Sequence, residues 1–367
     1  MVVVVNALRA PAPDGDAVAS STFPDVRAGA ARPCRKRVVF GAGRWPPACW
    51  RPYSRRSPFN RRIRSNPRLH PESRAIVDRL LSFGPAQHLL AGQAGRAEWD
   101  DFQPTYYSRR RDPVFTLHCT NSWGRCEVEG MRIRIPDAAR PAAGSDGHMT
   151  VIDQRSGWEY DMWRVQRKPR GGGRLEFAWG GRTRIDGHGL NSDATAARFG
   201  NLAGAVRAEE LASGRIDHAL FLTVHCDSGA WVYPARKGGT SCAETGESNT
   251  DAPPMGARFQ LAMSRKQINE LRVPAWKKVI LHAMASYGMY VGDTGGSWAI
   301  EQEGGRTYTS FGYKDRWVRL AKRAGVPFNP DDRLWVFNLR DGVDWARYLR
   351  VLDPCEARGS CPASAAE

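Results

Sequence analysis

Lysine is scarce in this 367-residue chain, and long apolar runs, Cys-x-x-Cys pairs and phosphate-cradling loops are missing. Each absence excludes something. No stretch reaches the roughly 18 apolar residues that span a bilayer, so no transmembrane segment is expected. No GK[ST] follows "KPRGGGR" or "GGRT", which rules out a P-loop. No G-x-S-x-G elbow occurs. The "DTG" at 293–295 has neither a second copy nor the apolar flanks of an aspartic protease. Zinc-finger, basic-zipper, RNP and KH signatures are absent too, so nucleic acid is disfavoured as a partner despite a net charge of +16. That charge is nearly all arginine. With abundant Ala, Gly and Pro, it carries the codon bias of a GC-rich genome, and it suits an anionic glycan or envelope surface equally well. Nothing calls for a cofactor or metal.

What is present is tryptophan and cysteine. Thirteen tryptophans is high, and exposed indoles offer the flat apolar faces that sugars stack on. The eight cysteines fall as four local pairs, Cys34/Cys49, Cys119/Cys126, Cys226/Cys242 and Cys355/Cys361. The simplest reading is four disulfides between neighbours and an oxidising, extracellular compartment. "MVVVV" is too short for the apolar core of a signal peptide, so an export signal is not evident.

Residues 1–33 read as a disordered leader and 34–70 as an extended Arg/Pro-rich arm laid over the body. A single β-rich domain is expected over 71–354, followed by a tail at 355–367. It opens on a helix with Ile76, Val77, Leu80 and Leu81 on one side and Gly84 at its end. Short β-like runs separated by turn formers fill 113–185. "HMTVIDQRSGWEYDMWRV" predicts a hairpin turning at Arg155–Gly157. The Ala-rich 193–213 predicts short helical turns, "RIDHALFLTVHC" a central strand, and "YVGDTGGSWAIEQE" a second hairpin. Helices are expected near 275–287, 315–324 and 341–351. No repeat and no βαβ alternation is visible. The fold class is mainly β (α+β), a β-sandwich or jelly-roll-like body with peripheral helices.

"GWEYDMWRV" carries the strongest chemical signal. On a strand, Glu159 and Asp161 share a face with Trp163 beside them. Such a pair suits glycosidase chemistry, one carboxyl protonated and the other ionised; it equally suits carboxylates paired with arginine. Asp153 and His148 lie on the partner strand. Asp186, His188, Asn191 and Asp193 occupy a glycine-bracketed loop that lacks the Glu of an EF-hand. His218 sits in an apolar strand, where it is either a core histidine or an acid/base. Asp293 and Trp298 flank a glycine turn. The candidate catalytic set is therefore Glu159, Asp161, His218 and His188. The candidate binding set is Trp158, Trp163, Asp153, His148, Asp186, Asp193, Tyr233, Asp293 and Trp298.

The strings "SPFNRRI", "HMTVIDQ…WEYDMW", "AGAVRAEELASGRIDHALF", "PPMGARFQL" and "ILHAMASYGMYVGDTGGSWAI" resemble a group of secreted bacterial proteins common in soil actinobacteria and their relatives. The likeness runs over about residues 57–320. It implies secretion and one β-rich domain, attaches no established activity, and raises the rank of His148, Glu159, His218, Tyr233 and Asp293. The "ExDxW" run also partly resembles laminarinase-like jelly-roll glycosidases, with Trp163 standing where their third acid would be. The expected function is a secreted carbohydrate-active enzyme, a glycoside hydrolase or polysaccharide lyase. The alternative is a non-catalytic glycan- or envelope-binding protein. The oligomeric state is left open.

Overall fold

The apolar run Leu220–Val224 lies inside a five-stranded sheet and is covered on both faces, as a continuously hydrophobic strand must be. In order across the sheet the strands are Ala299–Ile300, Leu220–Val224, Met289–Thr294, Arg258–Leu261 and Leu349–Leu352. The computed structural model describes residue 34 and residues 39–361; the expected leader lies outside the described residues. The helix Ala275–Ser286 follows Pro274 and buries Trp276, Val279, Ile280, Ala283 and Met284, the one-sided spacing of a helix face against a core.

Two expectations change in this sheet. Met289–Thr294 and Ala299–Ile300 do not pair as a hairpin. Leu220–Val224 inserts between them, parallel to the first and antiparallel to the second. The turn between them holds Gly295 and Gly296 at positive φ, and only glycine takes such angles freely. The expected helix at 341–351 is one short turn, Trp345–Tyr348. The chain then becomes the edge strand Leu349–Leu352, because Arg258–Leu261 offers it a ladder.

A four-stranded sheet runs Thr105–Ser108, Met149–Asp153, Trp158–Trp163, Trp179–Arg184. Its middle is the expected hairpin, with Ile152 opposite Glu159 and Thr150 opposite Asp161. Side chains alternate across it. Tyr106, Met149, Val151, Tyr160 and Met162 enter an apolar cluster shared with a three-stranded sheet, Arg132–Arg134, Val114–Cys119 and Gly173–Phe177. The opposite face, with Tyr107 and Ile152, meets the larger core of the five-stranded sheet. A further small sheet joins Leu89–Ala91, Leu334–Phe337 and Phe328–Asn329. The chain is β-rich with peripheral helices, and among the described residues the strand pairings are mixed, three of them parallel.

The arm does more than lie over the body. Phe40, Trp45, Tyr53 and Phe59 are core residues. The helix Ser73–Ser82 buries Ile76, Val77 and Leu80 as expected. The Ala-rich segment forms only Ala208–Ala212 as helix. Upstream, its backbone N–H groups at Asn201 and Leu202 bond to carboxylates instead, and a helix would have consumed those donors. All four cysteine pairs are disulfides between neighbours. No helix among the described residues is long and apolar enough to cross a membrane.

Candidate active site

Glu159 and Asp161 share a face turned inward against the larger core rather than outward, while Trp163 at the end of the strand packs against the smaller apolar cluster. Glu159 and Asp161 are both 0% exposed. Tyr53 Oη donates to Glu159 Oε2 at 2.6 Å and the Leu202 N–H to Oε1 at 2.9 Å. Asp161 accepts from Ser192 Oγ at 2.6 Å, Thr150 Oγ1 at 2.9 Å and the Asn201 N–H at 3.3 Å. Burial raises both carboxyls; for Glu159 the neighbouring Asp161 adds to it. Out of water, the ionisation of one such acid disfavours that of the other. Every oxygen is occupied, and a polymer has no route to either.

The seam opens further along the same strand. Trp163 Nε1 donates to Asp146 Oδ1 at 3.1 Å. The Trp163 ring stacks on Trp123, centroids 5.7 Å apart and planes inclined 28°, and Trp123 is 66% exposed. Trp123 stands on the loop closed by Cys119–Cys126. Trp179, opposite Trp163 in register, donates from Nε1 to Asp193 Oδ2 at 3.4 Å. Asp193 also meets Arg198 at 3.1 Å and Lys237 at 4.0 Å.

The five-stranded sheet supplies the other wall. Thr223 lies opposite both Asp293 and Ala299. Its Oγ1 donates to Glu301 Oε1 at 3.0 Å. Asp293 accepts N–H groups from Thr294 at 2.8 Å and Ala196 at 3.2 Å. Asp293 sits at the carboxyl end of a parallel strand pair, where open sheets place ligands. Burial lifts Asp293 to about 6 and Glu301 to about 7; the charge of Asp146 adds to both, and that of Asp293 to Glu301. All three remain partly exposed. His148 Nε2 is 3.8 Å from Asp146, and burial lowers its pKa, so the imidazole is neutral.

Four residues expected from sequence thus fall in one neighbourhood, Trp163 and His148 beside Asp146, Asp193 beside Trp179, and Asp293 on the Ala196 N–H. The others do not. His218 is 4% exposed, with Nε2 3.2 Å from Glu210 and Nδ1 2.8 Å from the Ala219 carbonyl. Burial works against the charge of Glu210, but Arg207 and His218 outweigh it and bring the acid to about 2. That is a core ion network. Trp298 is 0% exposed and packs edge-on against Trp345, so it offers no stacking surface. Asp153 caps the hairpin turn through Arg155 N–H and Ser156 Oγ. Trp158 is covered by Arg182 and Arg184, and Asp186 pairs with Arg184. His188 is exposed on its loop, apart from the enclosed Glu159. Tyr233 lines a separate groove.

Asp146, Glu301, Trp123 and Trp179 were not singled out from the sequence. Asp146 and Trp123 sit in turn-like strings, "AAGSDG" and "NSWG"; Glu301 needed the strand insertion. A tryptophan held in a seven-residue cysteine loop was the one available signal. Among the described residues, two clusters have metal-ligand types, His225/Cys226/Glu247 and Cys355/Glu356/Cys361. Their sulfurs are in disulfides and offer no thiolate. No family model, curated protein or solved structure matches this chain.

Proposed function

We propose that the protein is a secreted glycoside hydrolase whose acid–base groups are Glu301 and Asp293. The observation that carries this is the meeting of partly exposed carboxyls raised to about 7 and about 6 with a stacked, exposed tryptophan pair. Sugar cleavage needs a carboxyl that keeps its proton near neutrality and another that has lost it. Glu301 is the acid, with Thr223 holding Oε1 and leaving Oε2 to protonate the departing oxygen. Asp293, oriented by two backbone N–H groups, takes the proton of the attacking water. Trp123 and Trp163 form the sugar platform, and Asp146, bonded to Trp163, raises both acids through its charge.

The pairing of the four- and three-stranded sheets around one apolar cluster is read as the sandwich portion of a jelly-roll-like body. The four disulfides support an extracellular setting. The test is a polysaccharide panel with oxidised protein, following new reducing ends. Wild type releases them and Glu301→Gln does not. A protein that binds glycans equally well with either residue and releases nothing is a binding module instead.

A further inference from the structure

A second concave surface lies outside the acid cleft. Trp231, Val232, Tyr233, Ala235, Arg236 and Arg358 line an open groove of about 660 Å³. That is within the roughly 300–1,000 Å³ typical of small-ligand sites. Trp231 is 55% exposed, an isolated large apolar ring at the rim. Arg236 and Arg358 stand 6.0 and 5.9 Å from the centroid of the Tyr233 ring. Among the described residues, neither guanidinium has a carboxylate partner.

The surroundings make this unusual. Arginines beside the groove are already used: Arg64 pairs with Glu356, Arg68 with Asp353, and Arg61 donates to the carbonyls of Ala357 and Arg358. Arg64 and Arg68 thus have carboxylate partners, whereas the two that flank the aromatic floor have none among the described residues. Both are held in place. Arg236 is fixed by its N–H on the Ala197 carbonyl, inside the loop closed by Cys226–Cys242. Arg358 ends the short helix Pro354–Arg358, inside the Cys355–Cys361 loop. The next residue after Arg236 is Lys237, whose ammonium reaches Asp193 of the cleft. Groove and cleft are therefore joined by one peptide unit.

We infer that this groove binds the carboxylate-bearing rings of an acidic, uronate-type glycan, with Trp231 and Tyr233 under the rings and Arg236 and Arg358 on the carboxylates. A guanidinium fork matches a carboxylate, and an aromatic face matches the apolar side of a pyranose. The inference rests on the glycan reading of the cleft and names its substrate class as acidic. Single-stranded nucleic acid also uses aromatic platforms and arginine, but it needs a basic track along its backbone. Here Arg64 and Arg68 are paired with Glu356 and Asp353, which breaks the basic surface beside the groove.

The experiment is calorimetric titration of the full oxidised chain with a 1,4-linked galacturonate trimer, with cellotriose, and with a ten-residue oligothymidylate. The trimer binds, more weakly as salt rises. Arg236→Gln and Arg358→Gln each weaken it at least tenfold, whereas Arg184→Gln, on the other side of the acid pair, leaves it unchanged. Should Arg358→Gln fail to fold, Arg236→Gln and Trp231→Ala decide alone. Four results overturn the inference: no uronate binding, equal affinity for cellotriose, undiminished binding in both arginine variants, or tighter binding of the oligothymidylate. Glu301→Gln separates the two readings, since it binds the trimer as wild type does. Uronates bound through Arg236 and Arg358 but never cleaved sink the cleft reading and leave the groove. Cleavage of neutral glycans without uronate binding sinks the groove and leaves the cleft.

Discussion

The strand Trp158–Trp163 carries carboxyl chemistry at one end of a seam and borders it at the other, and the two ends differ in water. At the closed end, Glu159 and Asp161 have every oxygen hydrogen-bonded and no exposed surface. At the open end, Asp146, Asp293 and Glu301 keep part of their surface in solvent beside two indoles. Burial raises carboxyls at both. A raised acid is therefore no mark of catalysis by itself. Here access and unfilled hydrogen-bonding capacity separate a structural brace from a reactive group.

The largest difference expected between the ends is in turnover. Glu301→Gln lowers it by about 10²–10⁴-fold, the usual reach of a general acid, while Glu159→Gln leaves it within a few-fold. In wild type, kcat/KM falls below about pH 6 as Asp293 gains its proton and above about pH 7 as Glu301 loses its own. The Gln variant lacks the alkaline limb. Comparable losses from both variants would erase the distinction.

Stability reverses the ranking. Asp161→Ala strands Ser192, Thr150 and the Asn201 N–H, and costs about 3 kcal/mol in urea unfolding, from one to three for each unmade buried bond. Asp293→Asn changes stability by less than about 1 kcal/mol, since it removes a partly solvated acid already raised by burial. The pH dependence at the closed end has a definite sign. Glu159 is raised in the folded state, so its stabilisation is complete below its ordinary value and is lost as pH rises through the raised one. Wild type is thus more stable at pH 5 than at pH 8, and Glu159→Gln flattens that slope; a slope that persists in the variant points to other acids. Trp123→Ala acts on binding alone: it weakens oligosaccharide binding about tenfold, or about 1.4 kcal/mol, without moving the unfolding midpoint.

Local pattern in the sequence carried the hairpin, its register face, the four disulfides and the helix at Ser73–Ser82. Alternation placed Glu159 and Asp161 on one face, but period-two patterning says which residues share a face, not what lies opposite it. What faces that strand is Tyr53 from the arm, 106 residues from its partner Glu159, and Asn201–Leu202 from the Ala-rich segment, 40 and 43 residues from theirs. The open cleft was harder still. Asp293 and Glu301 appear to a sequence reader as neighbours across a hairpin, yet they are divided by a strand from residues 220–224. Non-local strand insertion leaves no periodic trace. Asp146 and Trp123 looked like turn chemistry because they stand in turns, and it is the sheets around those turns that aim them.

Tyr53 has a consequence for anyone trimming this protein. Its ring lies against Gly189 and Gly200, and its hydroxyl closes over Glu159. It acts as a stopper supplied by a stretch that sequence inspection would discard as linker. A fragment cut after residue 57 would lack the stopper and admit water to an acid pair that is fully buried in the whole chain. Shortening the side chain, as in Tyr53→Gly, offers the protein engineer the converse: a second wet carboxyl pair on the same strand, some 16 Å or less from the sugar platform at about 3.3 Å per residue.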